Sequence, residues 1–378
     1  MQRAQLKVFF NTPNPRLQGG PSTHLPLLEK ELRKYVAVET FEYGRRKDVE
    51  NILVKLLSRL KDFIVLQSKI SQSPPHIIHH NTALDTVAIV RDAPLVWLAK
   101  KHNIPLFLKM HGSCNELYDD IQAPLKQLRD FNLKNATALG VLSEVEKNEY
   151  SNTWPFLKER VKVVKNIIKP CFHDVQRQES KAPTILFISR FIRDKGMFDI
   201  LGAVPHVQKE HKDVKFIFIG SGPHAKEFDD TVRKHRYEDC VRRIDHIDNT
   251  ETIEYYKAAW AFVFPTHRLQ EGMPMVVAEA MATGVPVITT QTKFARSYLT
   301  AGEHCLFVEY NDARSIADCI VKLIEDDRLR AEMSNNNREL AKIFEADTVV
   351  KEFVSIYQEM LVSGGESAKS RMYCSGGG

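Results

Sequence analysis

The chain has 378 residues, of which 43% are hydrophobic, and a formal net charge of +5. This length is sufficient for two domains, each with its own hydrophobic core. No window contains the roughly 20 consecutive apolar residues of a membrane-spanning helix, and the first residues lack an apolar signal region, so we expect a cytoplasmic protein.

Positive charge is concentrated in the first half of the chain. Of the 53 Lys and Arg, 26 lie in residues 1–170, against 17 of the 48 Asp and Glu; this leaves 27 against 31 for the remainder. The asymmetry has two interpretations, chance or a first half that faces an anionic partner such as a membrane surface. Nucleic acid is not the expected partner, because the chain lacks a basic motif interleaved with aromatic residues.

Strand and helix patterns alternate from the start of the chain. An apolar strand over residues 6–10 leads, through a turn-rich loop with Gly19 and Gly20, to a helix over residues 24–35. Glycines in such a loop let a phosphate or a sugar approach the backbone closely. A glycine pair is, however, more often an ordinary turn.

Apolar residues then recur at helical spacing over residues 49–64, with Lys55, Arg59 and Lys61 off the apolar stripe. One interpretation is a helix packed on the sheet of its own domain. The other is a basic amphipathic helix that rests on anionic lipid.

A buried strand over residues 104–110 is followed directly by His111. In an open α/β sheet, ligands bind at the carboxyl ends of the strands, which places His111 in a plausible site, although a lone histidine is more often structural. Strands and helices continue to alternate in this half, which predicts one doubly wound domain with a parallel sheet. The further predicted elements are strands over 76–79, 138–142 and 161–164 and helices over 85–101, 124–135 and after Ser143.

The alternation restarts after an irregular, proline-containing segment, 166–183. A strand over 184–189 leads to Arg190, Lys195 and Gly196 and then to a helix, and a second strand ends in Gly220-Ser221-Gly222-Pro223. Cations at the start of a helix oppose its dipole unless an anion lies between them. Arg190 and Lys195 therefore favour an anion site there, although ordinary surface cations are the alternative.

The most informative stretch begins with a buried strand, 261–264. Glu271 and the turn Gly272-Met273-Pro274 follow it and open a helix that carries Glu279 and ends at Gly284. A helix start after a strand attracts anions, phosphate above all. This half is therefore predicted to be a second doubly wound domain, with a cleft between the two sheets as the ligand site.

These residues resemble the GT-B glycosyltransferases, specifically the retaining group designated family four. Glu271 and Glu279 match its Glu-x7-Glu motif; Arg190, Lys195 and Gly196 match its Arg-x4-Lys-Gly element; and Gly222 lies in its Gly-x-Gly-Pro turn. In the first half, Gly19-Gly20 and His111 resemble its glycine loop and its His-Gly edge more loosely. The resemblance covers residues 6–362 and implies two Rossmann-like domains that face each other across a cleft.

The resemblance also implies roles for these residues. Glu271, His111, Arg190 and Lys195 would form the catalytic set. The diphosphate of a nucleotide sugar would be held by the two cations, Gly19, Gly20, Gly222 and the turn Gly272-Met273-Pro274, while Glu279 would accept hydrogen bonds from the ribose. No cofactor or metal is expected, because the cations neutralise the leaving group and no Asp-x-Asp follows a strand.

The domains implied are an acceptor-side domain over 1–168, a nucleotide-sugar domain over 169–346, a helix over 347–362 that returns to the first domain, and a disordered tail over 363–378. The expected reaction is retaining transfer of a hexosyl group, from a UDP-sugar rather than a GDP-sugar, to a glycan or lipid-linked hydroxyl in cell-surface polysaccharide synthesis. The basic first domain is compatible with peripheral contact with the inner face of the membrane. The alternatives are a non-catalytic nucleotide-sugar binder and a nucleotide-sugar epimerase.

Overall fold

In the computed structural model, residues 6–12, 20–43, 52–113 and 121–372 are described. The chain divides into two compact units. The first contains residues 1–167 and 346–378, and the second contains residues 168–345. None of the described helices is long and apolar enough to cross a membrane.

Among the described residues, the first unit has a parallel six-stranded sheet of order β2-β1-β3-β4-β5-β6. Its strands are β1 (Lys7–Thr12), β2 (Ala37–Glu42), β3 (Ile77–Leu84), β4 (Leu106–Ser113), β5 (Ala138–Val141) and β6 (Val161–Val163). Its helices are α1 (Gly20–Leu32), α2 (Ile52–Gln72), α3 (Thr86–Lys101), α4 (Leu125–Asn135), α5 (Glu144–Thr153) and, from the end of the chain, α14 (Ala346–Met372).

The predicted helix starts are confirmed where a polar side chain caps them. Asp85 accepts a hydrogen bond from the backbone N–H of Ala88 and begins α3, and Ser143 accepts one from Glu146 and begins α5. Each cap satisfies a donor that the first helical turn leaves without a partner. These two caps explain why local sequence was sufficient to place both helices.

Strand β2 was not predicted. It is the edge strand of the sheet, and its Glu39 lies on the surface in ion pairs with Lys7 (3.0 Å) and Lys69 (2.6 Å). An edge strand is buried on fewer positions than a central one, so the alternation of apolar and polar residues is weak there.

Helix α2 has a different inner face from the predicted stripe. Leu66 and Ile70 are each 1% exposed within the core, whereas Leu60 and Ile64 of the stripe are 58% and 57% exposed. Helix α2 therefore packs in its own domain through residues that follow the predicted stripe, and Leu60 and Ile64 of the stripe lie on the surface.

Helix α14 packs in the core of the first unit, where Val350, Phe353 and Tyr357 are fully buried with residues of β1, β3 and β4. The helix continues past Val362 to Met372. Residues 363–372, for which disorder was predicted, are thus part of this helix, since Gly364 and Gly365 weaken a helix without necessarily ending it. Residues 373–378 lie outside the described residues.

Among the described residues, the second unit has a parallel six-stranded sheet of order β12-β11-β10-β7-β8-β9. Its strands are β7 (Thr184–Ile188), β8 (Lys215–Ile219), β9 (Val241–Ile244), β10 (Ala261–Phe264), β11 (Val287–Thr289) and β12 (Cys305–Phe307). Its helices are α6 (Pro170–His173), α7 (Met197–Glu210), α8 (Ala225–Lys234), α9 (Thr252–Ala258), α10 (Met275–Thr283), α11 (Lys293–Tyr298), α12 (Ala313–Glu325) and α13 (Asp327–Ala341).

Two α/β units with parallel sheets confirm the predicted fold class. In the second unit, β10 and β7 are adjacent central strands, and the loops after both of them carry predicted site residues. Because parallel strands end at the same edge of a sheet, these loops meet there.

Candidate functional site

The loop after β7 carries the first predicted residues of the site. Arg190 is exposed, whereas Lys195 ends a short 3₁₀ helix, Arg193–Lys195, and is 9% exposed. Gly196 follows with φ of 80°, and a Cβ there would lie 2.2 Å from the carbonyl oxygen of Pro265. Only glycine fits this approach, so Gly196 fixes the loop after β7 against the loop after β10.

The two loops are joined by an ion pair between Lys195 and Glu271. The side chains are only 11% and 16% exposed, and the Lys195 Nζ also lies 5.4 Å from the centre of the Phe264 ring. Burial lowers the pKa of Lys195 below its ordinary value, while Glu271 opposes that shift. The structure thus brings together two residues that the sequence placed 76 positions apart.

Positive charge exceeds negative charge around this pair. Arg268 and Arg190 both lower the pKa of Lys195 by repulsion, which places their charges within range of its ammonium. The second carboxylate nearby, Asp194, lies 3.4 Å from the Arg268 Nε. Cations close to the Lys195–Glu271 pair would suit an anionic ligand. Arg268 was not predicted, and no spacing rule marks it in the sequence.

Glu279 lies on α10 and is 4% exposed. Its Oε1 accepts a hydrogen bond from the Asn249 Nδ2 (2.9 Å) and its Oε2 accepts one from the Tyr256 hydroxyl (3.3 Å). Burial raises the pKa of Glu279 to about 7, and the two hydrogen bonds oppose that shift. Asn249 and Tyr256 were missed, because their contact with Glu279 depends on the packing of α9 against α10.

The turn Gly272-Met273-Pro274 is buried directly before α10. Pro274 is the N-cap residue, with an extended backbone, rather than a residue of the first turn as predicted. The helix ends at Gly284 in the left-handed conformation, as predicted. The positive end of the α10 dipole is therefore next to Glu271 in the chain.

Gly222 has a packing role in this unit. A Cβ there would lie 2.6 Å from the carbonyl oxygen of Phe191, and the Phe191 N–H donates a hydrogen bond to the Ser221 carbonyl oxygen (2.9 Å). The turn after β8 therefore supports the loop that carries Arg190. The contact of Gly222 with the nucleotide sugar stays a prediction.

His111 and Gly20 lie in the first unit. His111 is the sixth residue of β4, its Nε2 lies 2.8 Å from the Asn81 Oδ1, and its ring centre is 5.0 Å from that of His24. Burial lowers the pKa of His111 well below its ordinary value. Gly20 is the first residue of α1, and Gly19 lies outside the described residues. The interaction of His111 with Asn81 was not predicted.

The predicted site residues of the second unit are Lys195, Glu271, Arg190, the turn at residues 272–274 and Glu279, of which Lys195 and Glu271 are in direct contact. Within the described part of the chain, no group of three or more His, Cys, Asp or Glu side chains is placed to hold a metal ion. The expected independence from metal is kept as a prediction.

The comparison with protein families matches residues 169–340 to "Glycosyl transferases group 1". The chain is 32% identical over 177 residues to the capsular polysaccharide biosynthesis glycosyltransferase CapM of Staphylococcus aureus, an alignment that spans 46% of each chain. It is 25% identical over 342 residues, 88% of this chain and 86% of the relative, to an α-1,4-N-acetyl-D-galactosaminyltransferase of Campylobacter jejuni that acts on a diNAcBac-PP-undecaprenol-linked glycan.

Among solved structures, Anabaena Alr3699/HepE in complex with UDP aligns with a TM-score of 0.71 and 13% identity, over 94% of this chain and 100% of that chain. The two parallel α/β units and this likeness define the GT-B class of fold. The similarity to the group 1 glycosyltransferases is carried by residues 169–340.

Proposed function

We propose that the protein transfers a hexosyl group from a nucleotide-diphosphate sugar to an acceptor hydroxyl, with retention of configuration. The observation that carries the proposal is the buried ion pair of Lys195 and Glu271, which has Arg190 and Arg268 beside it and is followed by the start of α10. These groups would supply fixed positive charge to a departing diphosphate.

The reaction breaks the bond between the anomeric carbon and the diphosphate oxygen. As that bond lengthens, negative charge grows on the diphosphate and positive charge grows on the sugar ring. Lys195 and Arg190 would stabilise the first charge without reorganisation, because they are already in place. Glu271, adjacent to Lys195, would support the second charge and orient the sugar hydroxyls. The acceptor oxygen bonds to the same face of the anomeric carbon, and its proton leaves with the diphosphate or to water.

Glu279 would hold the ribose of the donor. Its carboxylate is buried, and among the described residues its donors are Asn249 and Tyr256, so each oxygen would retain a lone pair for a ribose hydroxyl. The positions in the chain support these separate roles, because Glu271 precedes α10 and Glu279 lies in its second turn.

A UDP-sugar is the proposed donor, and a glycan or lipid-linked hydroxyl is the proposed acceptor. UDP is bound by the structural neighbour from Anabaena, and capsular polysaccharide synthesis is the role printed for the relative from Staphylococcus aureus. The relative from Campylobacter jejuni acts on a polyprenyl-diphosphate-linked glycan, which supports a lipid-linked acceptor.

The test is product analysis with a panel of nucleotide sugars, with and without polyprenyl-linked glycan acceptors. We expect acceptor-dependent release of nucleoside diphosphate and, by ¹H NMR, a product with the anomeric configuration of the donor. Release without acceptor dependence would indicate a hydrolase, conversion of the sugar alone would indicate an epimerase, and binding without turnover would indicate a non-catalytic binder. Any of these results would contradict the proposal. Activity in EDTA tests the expected independence from metal.

We further propose that the first unit contacts an anionic membrane through a surface on α2 and α3 formed by Leu60, Ile64 and Trp97. These side chains are 58%, 57% and 44% exposed, and the Trp97 ring lies 6.2 Å from that of Phe63 on α2. Lys101 extends its Nζ to 4.9 Å from the Trp97 ring. An apolar surface bordered by lysine is suited to the interface of an anionic bilayer.

Replacement of Leu60 and Ile64 by Ser is expected to reduce co-sedimentation with phosphatidylglycerol-containing liposomes at low salt by about tenfold, because two large apolar contacts with the acyl region are lost. Val362→Ser, which changes an apolar side chain that is 76% exposed, serves as the control. Equal sedimentation of both variants, or none by the unmodified protein, would contradict this membrane contact and leave the proposed reaction untouched.

A further inference from the structure

A chain of hydrogen-bonded side chains crosses the core of the first unit and ends at His111. The Tyr357 hydroxyl on α14 contacts the Nδ1 of His79, and the Nε2 of His79 lies 3.2 Å from the Asn81 Oδ1. The same Oδ1 lies 2.8 Å from the His111 Nε2. Asn81 is thus shared by two histidines on neighbouring strands, β3 and β4.

The orientation of the Asn81 amide is fixed by its other end. Its Nδ2 donates a hydrogen bond to the Asn11 carbonyl oxygen, at 2.7 Å. If the amide were turned over, its oxygen would face the Asn11 carbonyl oxygen, and neither of these two atoms can donate a hydrogen bond. The Asn81 Oδ1 therefore points towards both rings.

A carbonyl oxygen only accepts hydrogen bonds, so both histidines must donate from Nε2. Both rings are held in the neutral form, because burial lowers the pKa of His79 to about 3 and that of His111 well below its ordinary value. A neutral imidazole carries one N–H, which leaves the Nδ1 of each ring as an acceptor. The Nδ1 of His79 accepts from Tyr357, and the Nδ1 of His111 has no hydrogen-bond partner among the described residues.

We propose that Asn81 is a positioning residue that fixes His111 in the neutral Nε2–H tautomer and leaves its buried Nδ1 as a hydrogen-bond acceptor. This inference rests on the proposed function, and it deepens the role assigned to His111. A lone pair at Nδ1 accepts a hydrogen bond from a hydroxyl and repels a phosphate or carboxylate oxygen.

The first test needs no substrate. In ¹⁵N-histidine-labelled protein, two-bond ¹H–¹⁵N NMR spectra are expected to show His79 and His111 at neutral pH with a protonated Nε2 and an unprotonated Nδ1. An Nδ1–H tautomer or an imidazolium at His111 would overturn the proposal. Because this readout is independent of turnover, it distinguishes failure of the inference from failure of the proposed function.

Asn81→Leu removes the acceptor and keeps a side chain of similar size. We expect His111 to leave the Nε2–H tautomer and kcat/KM for glycosyl transfer to fall about tenfold, the effect of one hydrogen bond, with the Kd for nucleoside diphosphate unchanged. Asn81→Asp keeps an acceptor and should retain the Nε2–H bond, but favours the imidazolium and so raises the pH at which His111 gains its second proton.

Asn135→Leu is the matched control, because among the described residues that amide donates to the Phe131 carbonyl oxygen within its own helix, α4 (2.8 Å). Unchanged tautomer and kinetics in Asn81→Leu, relative to this control, would overturn the positioning role. If Asn81→Leu does not fold, the tautomer of His111 in the spectra of the unmodified protein and of Asn81→Asp tests the positioning role.

Discussion

Replacing Lys195 by Met is expected to lower the rate of glycosyl transfer by about a thousandfold, which is the upper range for losing one fixed group that stabilises developing charge. Met keeps the length and the apolar stem of the side chain and removes only the ammonium. The rate with saturating donor and acceptor measures the effect. Lys226→Met, on a lysine whose side chain is 88% exposed on α8, is expected to retain full activity.

The same substitution leaves Glu271 in a largely buried position without its cation. Breaking a buried ion pair by removing one partner costs about 3–5 kcal/mol, and the partial exposure of both side chains reduces this figure. The second change Glu271→Gln removes the unpaired charge, so the double variant should regain stability in urea denaturation while transfer stays lost. Transfer within tenfold of the unmodified rate in either variant would contradict the role given to Lys195.

Glu279→Gln is expected to stabilise the protein at alkaline pH. Burial raises the pKa of Glu279 from an ordinary 4.5 to about 7, so between these values the folded state binds a proton that the unfolded state has released. The stability contributed by this proton is present below pH 4.5 and is lost as pH rises to about 7, a loss of roughly 3 kcal/mol. Glutamine carries no such charge, so the variant should equal the unmodified protein at about pH 4 and exceed it at about pH 8 in denaturant titrations.

Ionised Glu279 destabilises the folded protein, so we expect this carboxylate to serve in binding. Glu279→Gln replaces one acceptor oxygen by an NH₂ donor, so we expect nucleoside diphosphate to bind about 10- to 100-fold more weakly, as for the loss of hydrogen bonds to a charged group. Glu254→Gln, on an exposed residue of α9, serves as the control for both measurements. Unchanged binding with raised stability would show that Glu279 serves the structure and does not contact the ribose.

Much of the fold could be predicted because its signals are local. The strand 261–264 is bounded by turn residues and coincides with β10, and Gly284 marks the end of α10. Strand β2 lacked such a signal, because an edge strand with Glu39 in surface ion pairs shows little apolar alternation. The extent of α14 past Val362 was not predicted, because the small and polar residues that follow are typical of a disordered tail.

The site was predicted only as separate motifs. Glu271, Lys195 and Glu279 were each identified, but the direct ion pair of the first two depends on two loops meeting at one sheet edge. Arg268, Asn249 and Asn81 were missed for the same reason. Their contacts join different elements of the fold, and a single sequence carries no pattern for such pairs.

The most direct test of the donor site is calorimetric titration of UDP and GDP, in EDTA, into the unmodified protein and into Lys195→Met and Glu279→Gln. We predict that UDP binds the unmodified protein more tightly than GDP does, that binding persists in EDTA, and that each substitution weakens it at least tenfold. Equal affinity of all three proteins for the nucleotide would contradict the assignment of the donor site to Lys195 and Glu279 in the second unit.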